Sequence, residues 1–421
     1  MSIGEAPPGI ANLPTPPTPP APRSMDLVER VGNTMTLSMG PQHPSTHGVL
    51  QVVVEISGEV VEKLEMEIGY LHTGIEKTCE NLFWTQSSTG IERMDYLNPL
   101  GNALCYILAV EKLLGVTDDI PERASQIRVL LCELSRIASH CVWLGTGGID
   151  LGAISTFFYT FDMREDILDL IEVSGGARMH PNYLRIGGVN GDLPDGFLAK
   201  LDRLIEKFPT RMRELRTLLQ NNPILRDRMI DVGTIDAKDA IAWSLTGPSL
   251  RGSGIAYDVR RAFPYSGYET YDFDVPTRTE GDSYARFLVR LDEMDESMRI
   301  IRQGRKRLEK PGPIMIDNPK IAQPAKETIS LSMEALIHHF KIVSESFRVP
   351  PGDVYQAIES PRGELGVHAV SDGGTRPFRV HVRDPSFTNL QATSAMCEGA
   401  LLADAIAAVA SIDPVMGGVD R

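Results

Sequence analysis

Three apolar stretches with helical spacing follow one another between residues 100 and 173, and they restrict the chain to folds with a helical core. Residues 100–114, 119–144 and 156–173 repeat apolar side chains at intervals of three and four, the period of a buried helix face. The links between them are short, so the three helices pack as neighbours in a bundle. The second opens on Asp119-Ile120-Pro121-Glu122, which supplies an N-cap, an early proline and a first-turn carboxylate. Its pattern ends near Gly145-Thr146-Gly147-Gly148.

Ahead of this block the period is two. Met35, Leu37 and Met39 alternate with polar residues, and 49–56 and 60–68 flank Ser57-Gly58-Glu59 as a hairpin would. Residues 1–24 hold paired prolines (Pro7-Pro8, Pro16-Pro17, Pro19-Pro20) and read as an extended or disordered tail. Beyond the bundle, helices are expected over 196–221, 236–246, 282–309, 326–343 and 390–411. Residues 247–280 are an irregular excursion, and 311–324 a proline-rich linker. A second hairpin is expected over 364–383, turning on Asp372-Gly373-Gly374. The class is α+β: a central helical bundle with β-hairpin or sheet elements towards both chain ends. It divides into a tail (1–24), a β-rich region (25–70) and a helical core (71–421), the last two forming one unit.

With 421 residues, 42% of them hydrophobic, the chain can bury a large core. A formal net charge of −14 argues against nucleic acid or an anionic membrane surface as direct partner. No run reaches the roughly 20 apolar residues that span a bilayer, and no signal peptide is visible. None of Cys79, Cys105, Cys132, Cys141 and Cys397 stands in a Cys-x-x-Cys pair. They read as reduced structural thiols of a cytoplasmic protein.

Several segments carry side chains suited to chemistry. Gly40-Pro41-Gln42-His43-Pro44-Ser45-Thr46-His47-Gly48 holds two imidazoles in a turn stiffened by proline, and an apolar alternating run follows at once. Proline between the histidines makes a regular helix unsuitable there, and no third ligand stands out for a metal. Arg93-Met94-Asp95-Tyr96 offers a phenol aimed into a cavity, or else an ordinary tyrosine beside an N-cap. Asp150 either caps a helix or orients an imidazole. Arg178-Met179-His180 leaves a turn after Gly175-Gly176. Residues 359–366 combine charge with chain breakers before a strand, and the sequence ends on Asp413-Pro414-Val415-Met416-Gly417-Gly418-Val419-Asp420-Arg421. There is no phosphate-binding loop and no GxGxxG, HExxH or GxSxG motif.

Taken together, these segments and Gly69-Tyr70-Leu71-His72-Thr73-Gly74-Ile75-Glu76-Lys77 resemble one family. It is the hydrogenase-large-subunit-like chain of respiratory complex I, the D subunit of NADH:quinone oxidoreductases. The resemblance runs from about residue 33 to residue 421 and implies the fold of a nickel–iron hydrogenase large subunit. Those hydrogenases hold their metal with two Cys-x-x-Cys pairs. Here the corresponding positions carry Asp95 and Asn98, then Val415 and Gly418. Without soft thiolate ligands, hydrogen activation is excluded.

The resemblance also implies roles. His47 and Tyr96 hydrogen-bond a quinone head group, ubiquinone or menaquinone, and Asp150 pairs with the histidine. Arg93, Asp95, Asp413 and Val415 surround the old metal cavity, with His43 in support. His180, with Arg178, lies near a 4Fe-4S cluster held by the B subunit. The chain itself binds no metal or cofactor. The B, C and I subunits and the membrane arm are its partners, holding it peripherally on the cytoplasmic side of the plasma membrane. The alternatives are a cofactor-free scaffold subunit, or the equivalent subunit of a ferredoxin- or deazaflavin-driven complex. Residues 85–91, unusually polar, and Ile186 depart from the family pattern.

Overall fold

The structure, a computed structural model, describes residues 28–31, 34–43 and 48–421. The expected tail over 1–24, and His47 with its neighbours 44–46, lie outside the described residues. Strands β1 (Val28–Val31), β2 (Thr34–Met39), β3 (Gln51–Ser57) and β4 (Val60–Glu67) form an antiparallel sheet in sequence order. Short helices α1 (Ile75–Asn81) and α2 (Trp84–Ile91) lead into α3 (Pro99–Leu114), α4 (Glu122–Asp150) and α5 (Ile154–Gly175). A two-stranded ribbon of β5 (Leu184–Arg185) and β6 (Gly188–Val189) precedes α6 (Phe197–Leu215), α7 (Pro223–Met229) and α8 (Ala237–Ala242). The excursion over 247–280 contains two single-turn helices, α9 (Pro248–Arg251) and α10 (Val259–Ala262). Next come α11 (Ser283–Arg307), α12 (Lys326–Ile329) and α13 (Met333–Glu345). Strands β7 (Gly352–Ser360), β8 (Gly363–Ser371) and β9 (Arg379–Arg383) form a second antiparallel sheet. The chain closes with α14 (Pro385–Gln391), α15 (Thr393–Cys397), α16 (Leu402–Ile412) and α17 (Met416–Asp420).

The mixed α and β character and the central helices are as expected, with α3, α4 and α5 in the predicted places. Several readings need correction. The helix expected over 326–343 is two, α12 and α13, separated at 330–332. The glycines at 145–148 do not end α4, which runs on to Asp150. They serve close packing instead: a Cβ on Gly145 would come within 2.7 Å of Thr160 Oγ1, and one on Gly148 within 2.8 Å of Thr156 Cβ, both on α5. The C-terminal hairpin gains a strand, because β7 pairs with β8 through the two-residue turn Pro361-Arg362, with Ser360 opposite Gly363. Finally, the helix expected over 390–411 is three helices, broken at Ala392 and by a link at 398–401. That link adds to the first sheet, where Val61 N donates to Ala400 O at 2.9 Å and Gly399 N to Val61 O at 2.8 Å. The polar residues over 85–91 lie on α2, where the buried Ser87 and Ser88 hydroxyls donate to backbone carbonyls.

Helix α4 is buried along almost its whole length yet carries ionisable groups: Arg128, Glu133, Arg136 and His140. Each finds a partner, as burial demands. Glu133 accepts from Tyr268 Oη and Ser297 Oγ, both at 2.6 Å, and pairs with Arg136 at 3.2 Å and Arg260 at 3.1 Å. His140 Nε2 lies 3.2 Å from Glu293 Oε2, and Arg251 pairs with both Glu293 and Glu359. Asp258, Glu293 and Glu359 sit close enough to share an ion, but Arg251 and Arg260 already neutralise them.

Burial lowers the His140 imidazole to about 4 despite the facing carboxylate. Burial also opposes ionisation of Glu293, but Arg251 and the His140 hydrogen bond outweigh it and hold the carboxyl below its usual range. Both groups therefore bind protons more weakly folded than unfolded, and stability falls as pH drops through the window from about 6.5 to about 4. Thermal-inactivation midpoints of the assembled complex should decline across that window. His140→Gln should flatten the decline, and an unchanged slope would refute the account.

Candidate active site

The first sheet aims two loops at one place. Met39 pairs with Val52 and Gln51 pairs with Glu67, so the chain segments bounding 40–50 and the loop at 69–74 leave the same sheet end. Tyr70 Oη donates to Gln51 Oε1 across it. Asp420 grips the second loop: its carboxylate accepts from Gly69 N at 2.8 Å and Leu71 N at 2.6 Å. The His72 imidazole donates Nδ1–H to the Asp420 carbonyl at 2.6 Å, which fixes its tautomer. His43 is partly exposed at the start of the first loop.

Helix α17 carries this grip to the 92–98 segment. A Cβ at Gly417 would overlap the Met94 carbonyl oxygen, and one at Gly418 would overlap the Asp384 carboxylate. The early and late motifs thus pack directly on one another. A thiolate side chain cannot occupy position 418 unless Asp384 moves. Val415 is buried beside it, and Asn98 is buried before α3.

One guanidinium binds the two motifs together. Arg362, wholly buried at the tip of the β7–β8 turn, donates Nη1–H to Asp95 Oδ2 at 2.9 Å and to Ser139 Oγ at 3.0 Å. Its Nε–H reaches Asp413 O at 2.9 Å and its Nη2–H Asp413 Oδ1 at 3.2 Å. Asp413 presents itself to this fork in the left-handed conformation, φ +60°, at the end of α16. Burial raises its carboxyl to about 6, with Asp95 adding to the shift against the pull of Arg362 and Arg290. Asp384 is pushed up to about 6 as well, by burial and then by Asp95.

Tyr96 sits at the mouth of this cluster with 36% of its surface accessible. Its pKa is raised, first by partial burial, with Asp95 and Asp413 adding to the effect and Arg362 opposing it. The phenol therefore stays protonated and can donate.

On the other side of the same segment, Glu92 Oε2 accepts from Asn182 N at 3.2 Å. Burial raises Glu92 to about 7. Two residues before Asn182, half-buried His180 has its pKa lowered by burial and by the charge of Arg93, and no hydrogen bond reaches its Nδ1 among the described residues. Arg93 and His180 are thus electrostatic neighbours, and Arg93 also donates to Thr89 O. Arg178 turns back onto α5, pairing with Glu165, with Asp169 at 3.3 Å and with Glu172 at 3.6 Å. Asp150 is the last residue of α4, partly exposed.

The structure therefore joins Arg93, Asp95, Tyr96, Asp413 and Val415 in one neighbourhood, with His180 at its far edge. Arg362, Asp384, Ser139 and Glu92 were not singled out from the sequence. Arg362 lay within a charged, breaker-rich segment at 359–366, but nothing there said that its turn was buried.

Residues 150–421 match the family described as the respiratory-chain NADH dehydrogenase, 49 Kd subunit. The D subunit of the NADH-quinone oxidoreductase of Frankia alni is 56% identical over 409 residues, covering 93% of this chain and 87% of its own. Its counterpart in Acidothermus cellulolyticus is 54% identical over 412 residues, covering 94% and 93%. That of Mycolicibacterium smegmatis is 55% identical over 408 residues, covering 93% and 92%. A late motif folded back on Arg93–Tyr96, a family match over residues 150–421, and near full-length identity above one half all agree: the chain belongs to the 49 kDa subunit family of the respiratory-chain NADH dehydrogenase, as the D subunit of an NADH-quinone oxidoreductase.

Proposed function

We propose that this chain supplies the protein wall against which quinone is reduced and protonated to quinol. Its Tyr96 and His47 hold the two carbonyl oxygens. The observation that carries the reading is an accessible phenol, kept protonated, within the electrostatic reach of a buried Asp95–Arg362–Asp413 cluster. Quinone reduction needs two electrons and two protons, and this chain offers proton donors of suitable type. Asp150 orients the His47 imidazole and stabilises its charged form. The electrons come from a 4Fe-4S cluster of the B subunit lying against Arg178 and His180. The resemblance supports that placement, as does the Nδ1 of half-buried His180, which has no hydrogen-bond partner among the described residues.

On this reading the cavity is that of a hydrogenase large subunit whose four cysteines are gone, with Arg93, Asp95, Asp413 and Val415 around it and His43 in support. Partners are the B, C and I subunits and the membrane arm. On this reading the partners hold the chain peripherally on the cytoplasmic face; no helix among the described residues is long and apolar enough to cross a membrane.

Tyr96→Phe and His47→Ala should each lower quinone reductase turnover of the assembled complex at least about tenfold, below the usual range for general acid catalysis of roughly a hundredfold or more because a second donor remains. NADH oxidation by an artificial acceptor that bypasses quinone should be retained. Near wild-type quinone turnover in both variants would sink the assignment.

A further inference from the structure

We propose that Asp413 and Asp384, arranged with Asp95 around Arg362, form a proton store that refills Tyr96 after it has donated to quinone. The inference rests on the reading of Tyr96 as donor and adds the source of its next proton.

Three carboxylates from separate parts of the chain meet here: Asp95 before α3, Asp384 at the N-cap of α14 and Asp413 after α16. All three are at most 4% exposed. The groups facing them are Arg362 from the β7–β8 turn, Arg290 from α11, Ser139 from α4 and the Tyr96 phenol. Three carboxylates thus confront two guanidinium groups, and the two Nη groups of Arg290 donate to the Ser411 and Ile412 carbonyls rather than to a carboxylate. Among the three carboxylates, Arg362 hydrogen-bonds Asp95 and one oxygen of Asp413. Asp413 Oδ2 lies 3.1 Å from Arg362 Nη2 yet accepts no hydrogen bond among the described residues. Asp384 forms no ion pair among the described residues and is held by Ser386 N at 2.7 Å.

A buried site with one carboxylate too many keeps a proton instead of an extra charge. The upward shifts of Asp413 and Asp384 to about 6 agree with that placement. Asp95 contributes to both shifts and Arg362 opposes both, so the two carboxyls respond to the same neighbours.

The step balances simply. Once Tyr96 has given its proton to an oxyanion of the reduced quinone, forming a quinol hydroxyl and leaving a phenolate, the Asp413 O–H bond breaks and the phenol O–H bond forms again. The bonding pair stays on Asp413 as carboxylate, next to Arg362, and no electron leaves the cluster. The store then refills from solvent.

The test combines wild-type and variant complexes. Infrared difference spectra of the wild-type complex, recorded on quinone reduction, should contain a protonated-carboxyl C=O band that shifts in deuterium oxide. Asp413→Asn should lose that band. It should also lower kcat for quinone about tenfold with KM within about twofold, and remove the decline of turnover as pH rises above about 6. A purely packing role would lower turnover equally at every pH and leave the band in place, overturning the proposal. If Asp413→Asn does not assemble, the wild-type spectrum decides: a deuterium-sensitive carboxyl band supports the store and its absence refutes it. Wild-type turnover in Tyr96→Phe would instead overturn the donor reading. An impaired Tyr96→Phe beside an Asp413→Asn/Asp384→Asn double variant of normal turnover and pH profile would overturn the store alone.

Discussion

Arg362→Leu should abolish quinone reductase activity and cost about 3–5 kcal/mol of stability, the range for breaking a buried ion pair by removing one partner. Leucine fills much of the volume but leaves Asp95 and Asp413 facing one another without their shared cation, in a site where Coulomb interactions are poorly screened. The Ser139 hydroxyl also loses its donor. The complex should assemble poorly, and any assembled fraction should inactivate at markedly lower temperature. Arg362→Lys separates charge from shape: an ammonium cannot reach Asp95, Ser139 and both oxygen types of Asp413 with one planar fork. It should assemble better than the leucine variant yet remain well below wild type in turnover. A leucine variant with wild-type thermal inactivation would show that the cluster does not hold the early and late motifs together.

Glu111→Ala should produce a comparable loss at the opposite end of the helical core. Glu111 on α3 takes Arg128 of α4 in a two-point pair, at 2.6 and 3.1 Å, and neither side chain is more than 1% exposed. The same carboxylate accepts from Gly187 N at 2.8 Å, while Arg128 donates to Arg185 O and Gly188 O. One ion pair thus locks two helices and the β5–β6 ribbon that follows His180. Removing the carboxylate strands a buried guanidinium, again about 3–5 kcal/mol, and releases the ribbon next to Asn182 and Glu92. Thermal inactivation measures the first effect. The second should appear as a change in quinone turnover larger than that of an equally destabilised variant far from the ribbon. Equal losses in the two would refute the positional part.

Much of the fold was legible because its longest elements are strongly periodic. The helices at 99–114, 122–150 and 154–175 and the first hairpin declare themselves by spacing alone. What failed was the meaning of breakers. Glycines at 145–148 look like a helix end, but in the folded chain they are the surface on which α5 lies. Strand β7 spreads Val354, Tyr355, Ala357 and Ile358 over both faces among Asp353, Gln356 and Glu359, without clean alternation; its pairing with β8 makes it a strand. Site residues followed the same division. Tyr96, Asp95 and Asp413 stand in motifs with recognisable spelling. Arg362, Asp384 and Glu92 acquire meaning only through burial and through neighbours that are distant in sequence.

Composition, periodicity and motif spelling determined the helical core, the flanking sheets, the absence of thiolate ligands and the family. The tertiary structure alone decided that residues 93–96, the 361–362 turn and 413–421 meet, that one guanidinium serves two carboxylates there, and that a third carboxyl is left over. The physical reason is that pattern reports which faces avoid water, an additive property of local sequence. The charge state of a buried group depends on which partners long-range packing brings within a few ångströms.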